Sequence, residues 1–140
     1  MELTGSGGLS GLVDPTLGIV FGCAWGMDTR SFVQEHPRAE LLREDGDVQE
    51  WRCPGDLRLG PVPVELVFVF SLDALTAVRA HFVPHALSEG DLGTFLGGVF
   101  AWFDTEPSQP DPSLLVFEQD DTRVQLDLMD GVLLFEDMDA

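Results

Sequence analysis

A chain of 140 residues suffices for one domain with a buried core, and its 44% hydrophobic content excludes a disordered acidic tail. With 25 Asp+Glu against 7 Lys+Arg, the formal net charge is −18. That balance excludes phosphate-led nucleic-acid binding and docking on an anionic membrane, since both need Lys and Arg; it favours a basic protein partner met quickly and in a salt-sensitive way. Every basic residue is Arg, Lys, Asn and Tyr are absent, and Ile19 is the single Ile, a usage expected of a GC-rich source.

Residues 1–14 are rich in Gly and Ser and read as a flexible N-terminal segment, leaving 15–140 as a single α+β domain. Leu17 to Phe21 reads as a first short strand. Asp28 is a good N-cap for a helix to about His36, which Pro37 stops. Asp45-Gly46-Asp47 predicts a hairpin within Glu40 to Cys53. Leu57 to Val62 and Val64 to Phe70 follow as strands, with Pro63 best placed at an edge or a strand start. Leu75 to Phe82 fits a helical face or a strand; the strand is preferred because Ser71 to Ala74 then closes a hairpin.

Ser88, with Asp91 three residues on, opens a second helix bearing Leu92, Phe95, Leu96, Val99 and Phe103 on one face. Gly93, Gly97 and Gly98 weaken it by roughly 1 kcal/mol each relative to Ala, which suggests that a sheet approaches closely there. A Pro-rich loop, Pro107 to Pro112, precedes strands at Leu114 to Glu118, Arg123 to Leu128 and Val132 to Phe135, the last two joined through Asp130-Gly131. The fold class expected is α+β: two helices packed on one antiparallel sheet, as tandem helix–β-meander units over Asp28 to Phe82 and Ser88 to Phe135.

The stretch Phe21-Gly22-Cys23-Ala24-Trp25-Gly26-Met27-Asp28 resembles an F-G-x-x-W-G-x-S/D approach to a helix. Phe68-Val69-Phe70 with Leu75, Val78 and Phe82 resembles the hairpin that follows it. This order is similar to the β-lactamase-inhibitor-protein-like fold, also seen in small outer-membrane assembly lipoproteins. The resemblance implies helix-plus-strand units and action by protein binding. The secretion signal, lipid-attachment Cys and disulfide framework of those branches have no counterpart in the sequence.

No basic region followed by an apolar run opens the sequence and no apolar stretch reaches spanning length, so a cytoplasmic location is expected, with Cys23 and Cys53 as thiols. No metal or cofactor is expected. His81 and His85 are separated by Pro84, neither Cys belongs to a C-x-x-C pair, and the Asp45 and Asp120 clusters do not extend into a calcium loop. Gly8-Leu9-Ser10-Gly11 does not complete a nucleophile elbow, and phosphate-cradling loops are missing. Cys23 beside Trp25 is more readily a buried structural thiol than a nucleophile served by a distant His. Carboxylate pairs are too numerous to single out one for hydrolysis.

The partner-binding residues expected are Glu118, Asp120, Asp121, Asp127, Asp130, Glu136 and Asp137, with Trp51 as the Trp most open to contact. Carboxylates two apart on a strand repeat at roughly 6.6 Å and can match Arg and Lys of a basic protein; charge that protects a sheet edge from aggregation gives the same pattern. The function expected is an acidic protein-binding module: an immunity or inhibitor protein of toxin–antitoxin type that blocks the active site of a basic toxin or nuclease. A DNA-mimic inhibitor, a small Cys- or carboxylate-based enzyme, and an assembly or chaperone subunit are the alternatives.

Overall fold

The computed structural model describes residues 13–14, 19–59, 62–100, 109–111, 114–119 and 122–138. It is an α+β fold. Three two-residue strands come first: β1 (Val13–Asp14), β2 (Ile19–Val20) and β3 (Cys23–Ala24), in one small antiparallel sheet. Helix α1 (Thr29–Glu35) leads into β4 (Glu40–Asp45), β5 (Val48–Leu59), β6 (Val62–Ser71) and β7 (Ala74–His81). Helix α2 (Glu89–Phe100) leads into β8 (Gln109–Asp111), β9 (Leu114–Gln119), β10 (Thr122–Asp127) and β11 (Val132–Asp137). The eight long-sheet strands lie in the order β4-β5-β6-β7-β11-β10-β9-β8, all antiparallel.

Local chemistry sets the helix starts. Asp28 has extended backbone and its Oδ1 accepts from the Ser31 N–H at 2.8 Å, which caps α1 and lowers the carboxyl pKa. Ser88 Oγ accepts from the Asp91 N–H at 3.1 Å, and Glu89 and Asp91 sit in the first turn of α2, where the helix dipole favours anions. Seven residues are too few for an independent helix. Burial of Phe32 against Phe68 and Phe70, at centroid distances of 4.8 and 5.1 Å, holds α1 in place.

Both helices cover the same sheet face. Alternation puts Val62, Val64, Leu66, Phe68 and Phe70 of β6 inward, with Leu75, Val78 and Ala80 of β7. Val124 and Leu126 of β10 and Leu133 and Phe135 of β11 continue that layer. Phe32 from α1, Phe95 and Val99 from α2, and Val20, Phe21 and Cys23 from the small sheet close it into one core. Phe21 meets Phe135 edge-on, and Trp25 Nε1 donates to Thr122 Oγ1 at 2.9 Å, giving that buried hydroxyl a partner. The opposite face carries no described helix.

The ambiguous segment is a strand, β7, closing a hairpin with β6. Three expectations need correction. The Pro-rich segment holds a strand, β8, at the sheet edge, where Pro110 leaves no interior ladder bond unmade. Leu57 and Leu59 belong to the end of β5, and Val62 already belongs to β6, so no separate strand runs from 57 to 62. Gly93 and Gly97 are exposed, and a Cβ at either would meet nothing within 4 Å, so neither serves a close approach by the sheet. Residues 1–12 of the flexible segment, with Trp102 and Phe103, lie outside the described residues, whereas Val13 and Asp14 pair with β2. No described helix is long and apolar enough to cross a membrane.

Candidate functional site

Three arrangements of side chains stand out. The first is at the strand end where the β4–β5 and β6–β7 turns meet the start of α1. Leu72 and Asp73, the two residues of the β6–β7 turn, both have positive φ, 52° and 61°. Two-residue hairpins demand that conformation and normally fill it with Asn, Asp or Gly. Leu in the left-handed region costs roughly 1–2 kcal/mol, yet Leu72 is 74% exposed and recovers nothing by burial. Its N–H donates to the Asp47 carbonyl at 2.9 Å, joining the two turns. Asp73 Oδ1 accepts from the Thr29 N–H at 3.1 Å and from Thr29 Oγ1 at 2.6 Å, which fixes the start of α1 against the turn. Between these elements lies a cleft of about 370 Å³, lined by Thr29, Asp47, Gln49, Phe70, Leu72 and Asp73.

The second is the open sheet face. Arg43, Arg52, Arg79 and Arg123 project from it among carboxylates. Glu50 receives Arg43 at 2.8 Å and Arg79 at 2.5 Å, and the Arg79 hydrogen bond holds its carboxyl pKa below the ordinary range. Arg52 pairs with Glu40 at 2.7 Å, and Arg123 with Glu136 at 3.9 Å. His81, beside Arg79 Nε at 3.4 Å, has its pKa lowered by burial first and by the Arg79 charge second. Val67 and Val116 are buried on this face, apart from the main core. The face is therefore a mixed, ion-paired surface.

Of the predicted partner-binding residues that the structure describes, three lie on the open face and none lines the Leu72 cleft. Glu118, Asp127 and Glu136 share the open face, Glu118 and Glu136 flanking Arg123 in register. Asp127 caps its own turn, Oδ1 accepting from the Met129 and Asp130 N–H groups at 2.9 and 3.0 Å. Asp130 is exposed in that turn, at the opposite end of the sheet from Leu72. Asp137 pairs in register with Thr122 and so belongs to the helix-covered side. Trp51 also belongs there: half-buried, packed against the core and 6.3 Å from the Phe32 ring. Asp120 and Asp121 lie outside the described residues. Sequence reasoning passed over Leu72 and Asp73; a two-residue turn holding Leu between two good strands was the available signal.

The third arrangement gathers Cys23, Glu35 and His36, whose ligand atoms all lie within 4.8 Å of one another. Cys23 Sγ is 3.7 Å from His36 Nε2. Cys23 is fully buried, and burial, with smaller contributions from Glu35 and Cys53, pushes its thiol pKa up to about 12. Burial likewise pushes the half-buried Cys53 up to about 11. The imidazole that a nucleophilic Cys23 would need is at hand, but a thiol so strongly protonated is a poor nucleophile. Compared with protein-family models, curated proteins and solved structures, the chain has no match.

Proposed function

We propose that this chain is an acidic protein-binding module, an immunity or inhibitor protein that occupies the functional cleft of a basic protein such as a toxin or nuclease. The observation that carries the reading is Leu72: an exposed apolar side chain on a strained turn, rimmed by Asp47 and Asp73. Strain that gains nothing within the fold is explained when a partner supplies the burial. An apolar anchor inside a polar rim is the usual composition of an energetic centre at an interface. The net charge of −18 supplies steering toward a basic surface.

The order of strands supports the finer reading of the fold as two helix–meander units. Each helix precedes four strands, and the last strand of each set, β7 and β11, lie side by side. Such units underlie the inhibitor-type resemblance of the sequence. Cys23 takes no catalytic part in this proposal, since its thiol is buried and protonated.

The test uses the untagged chain as bait in extract of its host at low salt, beside Leu72→Asn and the double variant Asp47→Asn, Asp73→Asn. Asn suits the left-handed turn, so Leu72→Asn should fold at least as well as the parent, gaining up to about 1 kcal/mol. A basic protein should be retained by the parent, released by salt, and retained less by both variants. With that protein purified, the Asp variants should slow association and Leu72→Asn should speed dissociation. Equal retention by parent and variants would rule out this surface. Replacing Asp120, Asp121 and Asp127 by Asn or Ser tests the C-terminal carboxylates in the same assay.

A further inference from the structure

The structure assigns Cys23, Glu35 and His36 to a binding site for a zinc-class divalent ion, with Sγ, a carboxylate oxygen and Nε2 as ligands and water in the fourth position. The two halves come from different elements. Cys23 stands in β3 behind a tight bend, with Phe21 and Gly22 at φ 51° and 80° and Gly26 at 85° beyond it. Glu35 ends α1 and His36 caps it, its N–H bonded to the Phe32 carbonyl at 2.8 Å. The imidazole packs against two aromatic rings, 4.9 Å from Phe32 and 6.0 Å from Phe68, which helps set its direction before any ion arrives.

Geometry and chemistry agree. Sulfur and imidazole nitrogen sharing a tetrahedral zinc, with bonds of roughly 2.3 and 2.0–2.1 Å, stand about 3.6 Å apart. Here they are 3.7 Å apart. A thiol hydrogen bond would account for that pair alone. It leaves unexplained why Glu35 is brought to both, since a carboxylate beside a buried thiol opposes its ionisation. A divalent ion reverses that repulsion, and the set of one thiolate, one imidazole and one carboxylate suits zinc better than calcium or magnesium. Glu35 is exposed and His36 half-buried, which leaves the ion an approach from solvent. On binding, the Cys23 S–H proton passes to solvent and the thiolate donates a pair to the ion. His36 donates its Nε2 lone pair and keeps its proton on Nδ1.

The experiment takes the full chain without a histidine tag, reduced and metal-stripped, and titrates it with Co²⁺ as spectroscopic probe and Zn²⁺ as competitor. One equivalent of Co²⁺ should give a thiolate-to-cobalt charge-transfer band, release about one proton for the one thiol engaged, and be displaced by Zn²⁺ but not by Ca²⁺ or Mg²⁺. Removing a direct ligand by Cys23→Ser or His36→Gln should weaken binding beyond the roughly 10–100-fold loss typical of a supporting residue. Cys53→Ser should keep the band. Because Cys23→Ser removes a buried group and can unfold the chain, Glu35→Gln at an exposed position is the second variant; it should fold and bind more weakly. Absence of the charge-transfer band in the parent, binding without proton release, or unchanged affinity in both Glu35→Gln and His36→Gln would overturn the assignment and leave only surface carboxylates as the metal-binding groups.

Discussion

Gly131 closes the β10–β11 turn with φ 72°, and its carbonyl accepts from the Phe82 N–H at 2.8 Å. A Cβ at this position would overlap the Phe82 carbonyl oxygen and crowd the Pro84 ring. Gly131→Ala should therefore cost more than about 2 kcal/mol, from left-handed strain and overpacking together, seen as a lower urea midpoint. His81 gives a prediction of a different kind. Its folded pKa lies below the ordinary 6.5, so the unfolded chain binds the proton more readily. Stability contributed by neutral His81 is complete above about pH 6.5 and is lost as pH falls from there toward the folded pKa. Urea midpoints between pH 7.5 and 5 should fall more for the parent than for His81→Gln; parallel profiles would refute the coupling to Arg79 and burial.

Among the elements, α2 carries a weakness that its packing does not require. Gly93 and Gly97 face open space on an exposed side, while Phe95 and Val99 do the burying. Replacing either by Ala should raise stability by roughly 0.5–1 kcal/mol, measured by thermal or urea unfolding, because Ala loses less backbone entropy on entering a helix. The opposite outcome holds for α1. Seven residues held chiefly by Phe32 should not survive Phe32→Ala, which should cost roughly 3–5 kcal/mol. That substitution should also loosen both the Leu72 cleft at one end of α1 and the Cys23–His36 pair at the other, through Thr29 and His36. The strand alternation along β6, β7, β10 and β11 was legible because each such strand buries one face, which imposes a period of two. β8 was not legible, because three residues containing Pro at an edge carry no such pattern.

For the whole molecule, the distribution of charge matters more than its sum. The Arg residues of the open face are paired with carboxylates, whereas the turns that carry Asp45, Asp47 and Asp73 hold no Arg. If the acidity serves partner binding, unfolding midpoints should change little when salt is removed, while association with a basic partner should slow steeply as salt is raised. A fold lost at low salt would instead mark an adaptation to saline surroundings. The two observations, unfolding and association across the same salt series, separate these cases without knowledge of the source.

What the amino-acid order fixed alone was local: the Asp28 and Ser88 caps, the Asp-Gly turns, the alternation that divides each strand into a wet and a dry side, and the excess of acid. These depend on neighbours within a few residues and on counts. Tertiary structure decided which faces meet. It placed Trp51 on the covered side of the sheet and Asp137 across from Thr122, set Arg123 between Glu118 and Glu136, and brought Cys23 to the end of α1. Such pairings depend on strand order and register over separations that no local pattern spans, and burial then sets the chemistry of the groups brought together.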